Sequence, residues 1–226
     1  MPASRPYDVV TFDCYGTLID WERGITAAFE RAARADGVSL DAAAVLAAYH
    51  EVEPAVQSGA FRRYRDVLAD VARRVAERLG WTLAGPRAAF LAESVPDWPP
   101  FPDTNPALGR LAAAGYRLGI LSNVDDDLLE GTRRHFAVPF EFWVTAEQVR
   151  AYKPARPHFD RGLERVGGAR WLHAAQSAFH DVAPARALGI PVAWINRKGE
   201  RPIEAARPDR EFRTLTELAD WLAPAR

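Results

Sequence analysis

Four polar positions stand at or just past the ends of apolar runs. Asp13 closes Tyr7–Asp13, Ser122-Asn123 closes Tyr116–Ser122, Lys153-Pro154 follows Phe140–Val144, and Asp181 closes a weaker run, Gln176–Asp181. Carboxylates, a hydroxyl and an ammonium are groups of nucleophilic and acid–base catalysis. The lysine is the most telling, because the chain has two lysines, Lys153 and Lys198, against 27 arginines. A coding bias toward arginine explains the skew in general. A lysine standing in spite of it points to chemistry that needs a compact, tunable point charge. Taken singly, a strand-end Asp or Ser is more often a helix cap. Four such ends on neighbouring strands converge on one pocket.

For those ends to meet, the runs must be parallel strands. Strands at Tyr7–Asp13, Tyr116–Ser122, Phe140–Val144, Gln176–Asp181 and Pro191–Asn196 alternate with helical stretches at about 126–135, 156–166 and 183–188 and near Leu215–Leu222. Alternation of this kind predicts an α/β fold, a doubly wound parallel, Rossmann-like sheet covered by helices on both faces. The block from about Trp21 to Ser94 carries no strand signal. Phe61, Tyr64, Leu68, Val71, Val75 and Leu79 recur at helical spacing until Gly80, and Ser39 and Asp41 are candidate caps for a helix through Val45, Leu46 and Tyr49. The stretch Val95–Pro106 has five prolines in twelve residues and reads as a connector without helix or strand. The expected division is a core of 1–19 and 98–226 with an all-helical cap of 20–97 inserted over the sheet's carboxyl edge, where ligands bind in such folds.

Composition narrows the function classes. A chain of 226 residues, 48% hydrophobic and 26% charged, is one large globular domain or a domain with an insert. Its 29 basic and 30 acidic side chains leave no basic excess for nucleic acid or an anionic membrane surface. The single cysteine, Cys14, excludes an intrachain disulfide framework and a cysteine-based zinc site. Neither a leader-like apolar stretch at the start nor a run of about 18 apolar residues is present, so a cytoplasmic location is the expectation. His135, His158 and His173 lack metal-ligand spacing, and Asp125-Asp126-Asp127 reads as an acid-rich helix start. Arg197–Pro202, with Lys198, reads as a solvated loop.

Phe12-Asp-Cys-Tyr-Gly-Thr-Leu18, Leu121-Ser-Asn123, Tyr152-Lys-Pro154 and His180-Asp181 followed by Ala187-Leu-Gly189 resemble, in this order, the four motifs of the haloacid dehalogenase superfamily. The resemblance spans the chain and places the helical block where that superfamily inserts its cap. It implies nucleophilic substitution by the Asp13 carboxylate through a covalent ester. Lys153, the amides after the strand, and the Thr17 and Ser122 hydroxyls are then the donors that keep Asp13 ionised.

Two positions separate subclasses. Superfamily phosphatases carry a second Asp two residues after the nucleophile; here it is Tyr15, whose phenol has an ordinary pKa of about 10. Of their acidic pair in the last motif, which serves Mg²⁺, Asp181 is present and the other place falls on Ser177, after Gln176. Both departures resemble the hydrolytic type II 2-haloacid dehalogenases, which use neither metal nor cofactor. In that reading Asp13 displaces halide from a small 2-halocarboxylate and water then opens the ester, oriented or deprotonated by Asp181 with Lys153. Ser122 and amides near Cys14, Tyr15 and Asn123 hold the substrate carboxylate, and Asn123 helps receive the halide. The subclass's cap Trp-Arg pair has Tyr49-His50 as its nearest counterpart, so His50 or one of Arg62, Arg63 and Arg65 is expected on the substrate. Phe61 falls near the place of a halide-pocket aromatic, and Phe159 stands where a tyrosine is usual. The resemblance also allows a homodimer through the cap helices. The alternatives are a Mg²⁺-dependent phosphatase of the same fold and a binding protein that keeps the fold without turnover.

Overall fold

The computed structural model describes residues 5–202 and 207–224; the outermost ends of the expected core segments and residues 203–206 lie outside that range. Six parallel strands form one sheet in the order β3-β2-β1-β4-β5-β6. They are β1 (Val9–Phe12), β2 (Arg117–Ser122), β3 (Phe142–Thr145), β4 (Trp171–Ala175), β5 (Val192–Ile195) and β6 (Arg210–Phe212). The β-branched and aromatic run of β1 is buried along its whole length, as a strand covered on both faces requires. It pairs with β2 through Val9↔Arg117 and with β4 through Val9↔Trp171. The chain winds outward from β1 to β3 and then returns to β4 on the other side. The carboxyl end of β1 is therefore the topological switch point where such sheets bind ligands.

Helices α1 (Trp21–Ala35), α2 (Ala42–Gln57), α3 (Tyr64–Arg78) and α4 (Phe90–Ser94) fill the strand-free block, with short 3₁₀ turns at Gly85–Ala89 and Val95–Asp97. Asp41 caps α2 by accepting from the Ala44 amide. These helices share one apolar core with a face of the sheet: Phe12, Leu18, Ile25, Phe29, Leu68 and Val71 belong to a single buried cluster. Gly24 of α1 lies where a Cβ would fall 2.2 Å from the Trp98 ring, so only glycine lets the helix approach that indole. The two passages between block and sheet run side by side, with Ile19 bridging Pro100 and the Asp20 amide donating to Pro99 O (2.8 Å).

The remaining helices are α5 (Thr104–Ala113), α6 (Asp126–Arg133), α7 (Ala146–Val149), α8 (Pro157–Val166), α9 (Ala183–Ala187) and α10 (Leu215–Leu222). Three expectations need correction. The fourth strand is Trp171–Ala175, not Gln176–Asp181; the latter stretch is a loop and a π-helical turn over Ala178–Val182. Asp181 therefore sits in a turn six residues past the strand. The proline-rich connector does yield helix, because α5 starts at Thr104 and places Pro106 in its first turn, where no amide is needed. The edge strand β6, Arg-Glu-Phe, had no apolar signal because edge strands carry charge.

The start of α3 is held from across the molecule. Its N-cap residue, Arg63, makes no side-chain cap. The buried Asp125, just before α6, accepts from the Tyr64 and Arg65 amides instead (2.8 and 3.0 Å). Arg63 and Arg65 reach the acids around it, Asp127 and Glu147 for Arg63 and Asp127 for Arg65. Asp125→Ala is expected to lower the unfolding free energy by about 1–3 kcal/mol, since two helix-start amides lose a charged acceptor. Urea unfolding checks this, and an unchanged midpoint would show that the cap contributes nothing.

Candidate active site

Asp13 leaves the end of β1 with its amide bonded to Ala174 O (3.1 Å). Its turn depends on Gly16 at φ 99°, a conformation that favours glycine, and a Cβ there would also crowd the Gln176 and Trp21 side chains at 3.2 Å. The Asp13 carboxylate is 8% exposed. Oδ2 accepts from Thr17 Oγ1 (2.9 Å), and that hydroxyl accepts in turn from the Gln176 amide (2.9 Å). Oδ1 accepts from Lys153 Nζ (2.9 Å).

Lys153 is buried, and its three N–H groups are all used: on Asp13 Oδ1, on Asp181 Oδ1 (2.6 Å) and on Leu121 O (2.8 Å). Asn123 holds the lysine backbone at both polar atoms, accepting from Lys153 N (2.7 Å) and donating to Lys153 O (3.0 Å). Most of its capacity is spent on positioning, which leaves one amide hydrogen for a ligand.

Asp181 is held from behind by a chain that the sequence did not reveal. Trp171 Nε1 donates to Thr11 Oγ1 (2.7 Å), Thr11 meets His173 Nδ1 (2.8 Å), and His173 Nε2 meets Asp181 Oδ1 (3.0 Å). A carboxylate only accepts, so the order that satisfies each group puts the imidazole hydrogen on Nε2 and has Thr11 donate to Nδ1. Among the described residues Asp181 Oδ2 has no hydrogen-bond partner.

Two carboxylates share one ammonium, and they differ. Burial acts to raise Asp181, but the Lys153 charge and the His173 bond outweigh it and hold the carboxyl well below the usual range. For Asp13, burial wins over Lys153 and Thr17 and pushes the carboxyl above its ordinary 3.8. Burial acts to lower Lys153, yet the two acids keep it above its ordinary value. The site therefore combines a poised carboxylate, a permanent cation and a permanent anion with one free oxygen.

Above these groups lies a cavity of about 440 Å³. Asp13, Tyr15, Ser122, Asn123, Lys153 and Asp181 line it from the sheet side, and His50 lines it from α2. The Ser122 hydroxyl is fully buried and has no partner among the described residues, so it is available to a ligand. Tyr15 presents its ring, because its hydroxyl is turned to Thr132 Oγ1 (2.9 Å). A second cleft of about 450 Å³, between α1 and α2, holds Arg23 and Glu30 but no nucleophile–base pair, and it belongs to the helical surface rather than the sheet edge.

Other expected residues fall elsewhere. The Cys14 side chain is buried outside the cavity, and burial pushes its thiol well up, so the thiol packs and the residue's expected part in binding falls to its backbone amide. Phe61 precedes α3, lies on Tyr152 and under Arg150, and does not line the cavity; Tyr64, one turn on, does. Arg62 pairs with Asp70, and none of Arg62, Arg63 and Arg65 reaches the cavity. Lys198, expected as a surface lysine, lines the cavity mouth and bonds Glu22 Oε1 (2.5 Å), an oxygen that His50 Nε2 also approaches (3.4 Å). Both lysines of the chain thus border one cavity. Glu53, Gln57, Gln176 and His180 line it as well, with no local signal in the sequence beyond the helical spacing of the first two.

The donor set does not suit a divalent cation. The Lys153 ammonium stands between the two carboxylates, Tyr15 replaces one acid, and Ser177 Oγ is engaged with His180. Among the described residues no three His, Cys, Asp or Glu side chains cluster as a metal site. No helix among them is long and apolar enough to cross a membrane.

The chain resembles known proteins over nearly its whole length. An (S)-2-haloacid dehalogenase of Pseudomonas putida is 29% identical over 96% of this chain and 99% of its own. A phosphoglycolate phosphatase of Rhodospirillum rubrum is 30% identical over 94% of this chain and 90% of its own. The solved L-2-haloacid dehalogenase of Xanthobacter autotrophicus with chloropropionic acid covalently bound shares the fold, with a TM-score of 0.81 at 21% identity, covering 94% of this chain and 97% of that one. The profile of the haloacid dehalogenase-like hydrolases matches residues 7–190, and the chain belongs to that family.

Proposed function

We propose that the protein is a hydrolytic dehalogenase of short 2-haloalkanoic acids that works through an ester on Asp13. The observation that carries this reading is the Lys153 ammonium lodged between Asp13 and Asp181, where a phosphatase of this fold needs a divalent cation. The relatives named above and others like them include both activities, with (S)-2-haloacid dehalogenase recurring.

Asp13 attacks the halogen-bearing carbon, a C–O bond forms as the C–halogen bond breaks with inversion, and halide leaves with the electron pair. Halide needs no proton, so Tyr15 in place of an acid costs nothing. Ser122 and the amides after Asp13 hold the substrate carboxylate, and the remaining Asn123 hydrogen meets the departing halide. Water then adds to the ester carbonyl carbon and the acyl C–O bond breaks; one water proton goes to the alkoxide oxygen of the departing 2-hydroxy acid, the other goes to solvent, and the Asp13 carboxylate is restored. The free Oδ2 of Asp181 orients that water; a carboxyl held so firmly ionised is a weak proton acceptor. His50 covers the substrate from α2.

The side-by-side passages at Ile19 and Pro100 support a core of 1–19 and 98–226 under a cap of 20–97. A buried, unpaired Cys14 supports a cytoplasmic setting, and a homodimer through the cap helices belongs to the same proposal. The test is halide release from chloroacetate and both 2-chloropropionate enantiomers in EDTA, beside a phosphate ester with Mg²⁺. Release from the L enantiomer that survives EDTA is the expected result. Phosphate release that needs Mg²⁺, without halide, would replace this reading with the phosphatase one.

A further inference from the structure

The cavity wall that α2 contributes sets polar side chains beside Tyr49 and Pro54, where a short alkyl haloacid needs only an apolar cover. His50, Glu53, Pro54 and Gln57, spaced as one helical face, all line it. Glu53 is half-buried, and its side chain makes one hydrogen bond among the described residues, accepted from Gln57 Nε2 (3.0 Å). Among the described residues no lysine or arginine pairs with it: Lys153 is shared by Asp13 and Asp181, and Lys198 is taken by Glu22. Burial pushes the Glu53 carboxyl up to about 7. An acid half withdrawn from water with a single neutral donor costs stability, and in a cavity that also holds the nucleophile a ligand is the natural source of a second donor. The volume, about 440 Å³, falls in the range that accommodates ligands larger than a three-carbon acid.

We propose that Glu53 and Gln57 form a specificity-determining pair that binds a hydroxyl on the substrate's side chain, so that hydroxylated 2-halo acids are preferred to plain alkyl ones. A carboxylate oxygen accepts, an amide N–H donates, and a hydroxyl answers both at once. The proposal names the substrate class of the dehalogenase reading and rests on it. A site built to bond a hydroxyl rejects the analogue lacking it, because the buried polar groups are left unpaired.

The experiment compares kcat/KM for halide release from 2-chloro-3-hydroxypropionate and its isostere 2-chlorobutyrate, in the wild type, Glu53→Gln, Glu53→Leu and Gln57→Leu. The wild type should favour the hydroxylated acid by at least about tenfold. Glu53→Leu should erase that preference, Gln57→Leu should weaken it, and Glu53→Gln, which keeps an accepting oxygen, should retain part of it. A merely structural role would lower both substrates alike and leave their ratio unchanged, which overturns the proposal, as does a wild type that treats the two within threefold. If neither acid releases halide, the dehalogenase reading falls, and calorimetric binding of glycerate against 2-hydroxybutyrate decides this proposal alone. Tighter glycerate binding that is lost in Glu53→Leu upholds it, and equal affinities overturn it.

Discussion

Lys153→Met is expected to lower halide release by about 10³-fold or more and to cost about 3–5 kcal/mol of stability at neutral pH, the usual penalty for stranding a buried charge. The reason is geometric. The ammonium is buried, donates to Asp13, Asp181 and Leu121 O, and is the one cation on either carboxylate. Methionine fills similar volume, so the loss isolates the charge from the packing. Arginine is not a rescue, because a planar fork cannot point three donors at three acceptors held around one nitrogen. The pH dependence follows from sign. With lysine present, Asp181 is held below its ordinary value, so its contribution to stability is complete above the unfolded carboxyl range and fades only in strong acid. In the methionine variant at least one buried acid has a raised folded pKa. Its protonated form is then the favoured one, and stability falls as pH rises. The gap between the urea midpoints of the two proteins should therefore widen from pH 5 toward pH 8 and close only in strong acid, where the Asp181 contribution fades; a gap independent of pH would remove the charge from the explanation.

What could be read from the sequence, and what could not, divides by the range of the interactions involved. Asp13 and Ser122 are legible because each ends or follows an apolar run that announces a buried strand, whereas Lys153, eight residues past β3, is legible from the rarity of lysine and from the Tyr152-Lys-Pro154 motif. The β4 register was misread because Trp-Leu-His-Ala-Ala holds an imidazole and two alanines, weak strand formers. Its His173 is tolerated in the sheet only through Thr11 and Asp181, one of them 162 residues away. Phe61 and Tyr64 are equivalent in the helical pattern; Asp125, far along the chain, fixes the helix start at Tyr64 and so decides which ring faces the cavity. Lys198 and Glu53 were hidden for a related reason. A loop after β5 and a helix in the insert meet over the nucleophile only when the helical block folds onto the sheet. The local pattern carries the catalytic strand ends, and the tertiary fold carries the recognition surface.

Asp13→Asn is expected to remove halide release altogether, a loss of about 10⁴-fold or more, because no other carboxylate can take its part. Among the described residues Asp181 is the carboxylate that shares Lys153 with Asp13, and Asp181 is tied to Lys153 and His173 and held ionised, which makes it a poor substitute nucleophile. The amide is isosteric, still accepts from Thr17 or Lys153, and leaves Asp181 its cation, so the fold should persist with a melting point within a few degrees of the wild type. Loss of both activity and fold would make Asp13 a structural residue. The wild type supplies an independent check. Asp13 acts as a carboxylate, and burial lifts its pKa above the ordinary 3.8. Protonation therefore silences the nucleophile sooner than for an exposed aspartate as pH falls, and kcat/KM should rise through an acid limb placed above that value. On the alkaline side Lys153 keeps its proton past its ordinary range, held by two acids, so no loss from its titration is expected through pH 9. An acid limb at or below 3.8 would mean that Lys153 and Thr17 outweigh burial at Asp13, and that the nucleophile is a fully ionised group rather than a poised one.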